Sequence, residues 1–96
     1  MTLDEEAKNV LLEILRIGLV RIRNYAFSGL TENCGYEADH LHNLPELIQS
    51  FNWDLLKYYI RCQRSNISSI PEYNIEHFKV HWDELDTLVL RWELAQ

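Results

Sequence analysis

The apolar positions of this chain recur at steps of three and four along most of its length, and nowhere alternate long enough to support a strand. Leu11, Ile14, Leu15, Gly18, Ile22 and Tyr25 form one such series and predict a first helix over about Leu3 to Phe27. Thr2 and Glu5 have the spacing of a capping box at its start. Ser28-Gly29 supplies a left-handed stop, and Thr31 is the expected N-cap of a second helix running to about Asn43. Pro45, which lacks an N–H and has a fixed φ, suits the first turn of a third stretch, about Pro45 to Arg64. That stretch is expected to break near Phe51-Asn52, with Asn52 capping its longer half. Leu55, Leu56, Tyr59, Ile60 and Cys62 supply its apolar face, flanked by Trp53 and Tyr58. Ser65 to Tyr73, rich in serine and containing Pro71, is expected to be the one real loop. Asn74 can cap a last helix over about Ile75 to Leu94, where Ile75, Phe78, Trp82, Leu85, Val89 and Trp92 keep the helical step without a miss.

These elements predict an all-α fold: a small antiparallel helical bundle of four main helices, the third kinked, in a single domain over residues 1–96. Gly18 costs about 1 kcal/mol against alanine inside a helix, so its presence predicts a close approach by another backbone. On the second helix Cys34, Ala38 and Leu41 share one side, while Glu37, His40 and Leu44 follow a neighbouring track. The first helix is oilier than one packing face requires. Leu12, Leu19, Val20 and Phe27 lie outside its stripe and are the expected interface of a homodimer. Three Trp, five Tyr and three Phe in so short a chain add to the apolar area that a second subunit can cover.

Charge narrows the choice of partner. Nine basic against fifteen acidic residues give a formal charge of -6, which disfavours nucleic acid and anionic membrane surfaces. The last helix offers only Lys79 and Arg91 as bases, too few for a DNA recognition helix. Between residues 31 and 50 the acids Glu32, Glu37, Asp39 and Glu46 meet no Lys or Arg, whereas Lys57, Arg61 and Arg64 follow soon after with only Asp54 nearby. Arg16 and Arg23 are expected to pair with acids across the bundle. Cys34 and Cys62 are too few for a secreted disulfide scaffold and read as reduced thiols. The acidic start lacks the basic region of a signal peptide, and the run from Val10 to Ile22 is too short and too charged to cross a bilayer. A soluble cytoplasmic protein is expected.

Candidate chemistry is sparse. Glu37 and His40 have the i, i+3 spacing by which a helix offers a carboxylate and an imidazole to one metal. His77 and His81, four apart, have the spacing of two zinc ligands, with Glu84 near enough to be a third. Set against this, one Glu-x-x-His pair is half of what a di-metal bundle needs, and no general-base glutamate lies between His77 and His81. His40 and His42 point to different sides of their helix, and one of them is expected to cap carbonyls at its C-terminal end. There is no G-x-S-x-G, no C-x-x-C and no phosphate-cradling glycine loop. No cofactor is expected.

The run Ala38-Asp39-His40-Leu41-His42-Asn43-Leu44-Pro45, with Ile22-Arg23-Asn24-Tyr25-Ala26 and Cys34-Gly35-Tyr36-Glu37 before it, resembles a group of small uncharacterised bacterial helical proteins. They share a long first helix and an A-D-x-x-H-N-L-P-like turn. The resemblance covers about the first half of the chain; it implies a bacterial origin and a compact helical fold, and carries no activity. The function expected from the whole reading is a non-enzymatic protein–protein interaction module, a homodimeric bacterial accessory or immunity-type protein. The alternative is a small metal-dependent enzyme or metal sensor using Glu37, His40, His77, His81 and Glu84.

Overall fold

The computed structural model describes residues 1–69 and 75–96, and they form an all-α bundle. Helix α1 spans Leu3–Phe27 and α2 spans Thr31–Leu41. The third helical stretch is broken, as its sequence predicts, into a short α3 at Leu44–Gln49 and a longer α4 at Trp53–Ser69. A single 3-10 turn at Glu76–Phe78 then leads into α5, Lys79–Leu94. Helix α1 packs against α2, α3 and α5, and α4 packs against α5.

The ends of the elements follow local chemistry. Thr2 accepts from the Glu5 N–H at 3.1 Å while the Glu5 carboxylate receives the Thr2 N–H at 3.3 Å, which completes the capping box. Gly29 ends α1 with φ at +73°, a conformation that costs glycine nothing. Thr31 does not cap α2 as its residue type suggests. The cap position is Leu30, which makes no side-chain hydrogen bond, and Thr31 is already helical. Helix α2 stops at Leu41, two residues before the expected Asn43, because the turn into Pro45 begins there. Asn52 caps α4 with its side-chain oxygen, 2.8 Å from the Asp54 N–H and 3.3 Å from the Leu55 N–H.

Two further boundaries differ from expectation. Helix α4 runs on through Ser69, so the start of the supposed loop at Ser65 is helical; a serine can stay in a helix when the preceding turns are well packed. The last helix opens as a 3-10 turn rather than as α-helix at Ile75. The cap expected at Asn74 lies outside the described residues.

The core is a contiguous cluster in which Leu11, Ile14, Leu44, Leu56, Phe78, Trp82 and Leu85 are fully buried. The stripe of α5 faces inward as predicted. On α4 the burial is rotated from the expected face: Trp53, Leu56, Tyr59, Ile60 and Gln63 point in, and Leu55 is exposed. Trp53 is held there by a stack on Trp92, with ring centroids 5.3 Å apart, and by donating its indole N–H to Asp4 at 2.8 Å. On α2 the rotation is similar. Ala38 is exposed, and Glu37, His40 and Leu41 are buried.

Gly18 marks a close contact, made by a side chain and not by a backbone. A Cβ placed on it would fall 2.3 Å from Leu41 Cδ1, so the leucine occupies the space that glycine leaves. Among the described residues no helix is long and apolar enough to cross a membrane. Both cysteines are free and half-buried.

Candidate functional site

The rotation of α2 puts its polar track inside the bundle. Glu37 is only 2% exposed, and a buried carboxylate is tolerated where donors or cations surround it. Two arrive from elsewhere in the chain. Arg21 of α1 brings its Nε to 3.1 Å from Glu37 Oε1, and His77 of the 3-10 turn brings its Nε2 to 2.9 Å from the same oxygen. A carboxylate can only accept, so His77 holds a proton on Nε2 and donates it. Arg21 also donates from Nη2 to the Tyr25 hydroxyl, its guanidinium carbon 5.3 Å from that ring's centroid, which steadies the group while its Nε faces Glu37.

His40, one helical turn from Glu37, is equally buried. Burial pushes its pKa below the ordinary 6.5, against the pull of a hydrogen bond with Gln63 and the fields of Glu37 and Asp39. Gln63 reaches it from α4 and is itself buried. One carboxylate, one guanidinium and two imidazoles, together with an amide, therefore tie α1, α2, α4 and the start of α5 to one another.

The expected ligands are divided by this arrangement. Glu37, His40 and His77 are brought together, Glu37 and His77 in direct contact. His81 stands apart on α5, within the field of Glu13, and Glu84 is exposed near the first turns of α1. His77 is thus engaged by Glu37, while His81 acts on Glu13. Among the described residues no group of three or more His, Cys, Asp or Glu side chains is placed to hold a metal ion. His42 Nδ1 approaches the Asp39 carbonyl at 2.7 Å, the helix-end role expected of one of the two junction histidines.

Arg21 and Gln63 are the members of this cluster that sequence reasoning missed. Each had a signal. Arg21 falls three residues after Gly18 and four before Tyr25, on the buried stripe of α1, and Gln63 falls four after Tyr59 on that of α4. A polar residue in register with a core stripe asks for a buried partner.

A second feature lies on the outside of α1. Leu12, Leu19, Val20 and Phe27 are all exposed, Phe27 by 80%. Successive members are separated by seven residues or adjoin, so they form one apolar row about 22 Å long. The two arginines in that row are engaged within their own helix and not across the bundle: Arg16 forms an ion pair with Glu13, and Arg23 lies 5.4 Å from the Phe27 centroid.

In comparisons with known proteins, no family model, no curated protein and no solved structure matches this chain significantly.

Proposed function

We propose that this protein is a non-catalytic protein–protein interaction module that works as a homodimer through the outer face of α1. The observation that carries the reading is the exposed row Leu12, Leu19, Val20 and Phe27. Such a row is self-complementary. In an antiparallel two-fold pairing of α1 helices, Leu12 of one copy lies opposite Phe27 of the other and Leu19 opposite Val20. Arg16 then faces Arg23, and the repulsion is blunted because Glu13 already neutralises Arg16.

The bacterial resemblance and the acidic, aromatic-rich composition support an accessory or immunity-type role in the cytoplasm. Sedimentation equilibrium tests the central claim. A dimer at high micromolar concentration, converted to a folded monomer by Leu19→Asp, is the expected result; a strict monomer in the wild type overturns it.

The alternative, a metal-dependent enzyme or metal sensor, is favoured by one observation, the contact of Glu37 with His77 beside His40. Elemental analysis of protein purified without a histidine tag separates the readings. Stoichiometric zinc or iron, lost on His77→Ala, would replace the interaction module with a metalloprotein.

A further inference from the structure

We propose that the hollow between α3 and α4 binds a small organic amine carried on an aromatic body. The hollow has a volume of about 290 Å³, at the lower end of the range for small-ligand sites. Leu47 forms part of its floor and the two tyrosines Tyr58 and Tyr59 stand along its α4 side, so its surface is chiefly apolar. Leu55 and Tyr58 remain exposed at this site although both are large, which leaves their apolar area open to a guest.

Charge selects the guest. Glu46 lines the hollow, and among the described residues no Lys, Arg or His does. The Glu46 carboxylate, like that of several other exposed glutamates, has no basic partner in any ion pair of the described residues. The Arg61 guanidinium sits 5.6 Å from the Tyr58 ring centroid and lines the neighbouring hollow against α5. An ammonium group placed beside Glu46 gains a carboxylate, and a carboxylate guest placed there is repelled. The ring of such a guest then lies against Leu47, Leu55 and the tyrosines.

Amide chemical shifts of isotope-labelled protein, titrated with phenethylamine and separately with phenylacetate, test the assignment. Phenethylamine should move amides between residues 43 and 63 in a saturable way at millimolar concentration, and phenylacetate should not. Glu46→Gln, an exposed change that leaves the core untouched, should weaken phenethylamine about three- to fivefold, as expected for one partly solvated ion pair. Glu46→Arg should reverse the preference in favour of phenylacetate. Equal responses to the two probes, shifts scattered over the whole surface, or unchanged binding in Glu46→Gln would each overturn the proposal.

Discussion

Glu37 Oε1 and His77 Nε2 lie 2.9 Å apart although 40 residues separate them in the chain. The contact fastens the entrance of α5 onto α2, and Arg21 fastens α1 to the same oxygen. Removing the carboxylate strands a guanidinium and an imidazole whose solvation is incomplete. Glu37→Ala should therefore lower unfolding free energy by about 2–4 kcal/mol, at the lower part of the range for broken buried pairs because Arg21 keeps 32% side-chain exposure. Urea titration of Glu37→Ala, His77→Ala and the double variant checks it. Strict additivity of the two single losses would show that the pair is not coupled.

Acidification should weaken the fold through His40. Its folded pKa is depressed, first by burial, so the unfolded chain takes up a proton more readily than the folded one. The stability that this group supports is present in full above its unfolded value of about 6.5 and declines as pH falls below it. The decline from this residue stops once pH lies under the folded value. Unfolding free energies from about pH 8 to about pH 5 should fall less steeply in His40→Gln than in the wild type. Identical slopes would remove His40 from the account.

Gly18 offers a test in which the sign of an effect inverts. Alanine there gains about 1 kcal/mol of helix propensity, but its Cβ meets Leu41, and overpacking of this kind costs about 1–3 kcal/mol. Gly18→Ala should destabilise in the wild type and stabilise in a Leu41→Ala background, as read from denaturation midpoints. A gain in both backgrounds would mean that Leu41 moves aside freely.

Leu85 is fully buried at the centre of the α5 stripe. An unpaired carboxylate at that depth costs more than a chain of this size can spare. Leu85→Asp should abolish the cooperative thermal transition, and a retained sharp transition would contradict the placement of α5 in the core.

The frame of this bundle was legible because its signals are local. The box at Thr2 and Glu5, the stop at Gly29, the cap at Asn52 and the step of α5 each depend on residues within a turn of one another. What failed were decisions of face. Leu55 and Ala38 look like core residues by type, yet Trp53 and Glu37 displaced them, because a stacking indole and a charged partner on another helix set the rotation of α4 and α2. The polar cluster was half visible for the same reason. Glu37, His40 and His77 stood out by type, but their meeting, and that of Arg21 with Glu37, depends on which way α2 turns. The outer row of α1 was legible in full, since surplus apolar residues need no partner to be counted.

Trp53 receives the first turn of α1 through Asp4 and the last turns of α5 through Trp92. Two helix ends that ordinarily fray first are thereby clasped to one indole at the head of α4. Loosening at either extremity must therefore disturb the same chromophore, so one indole senses both ends of the chain.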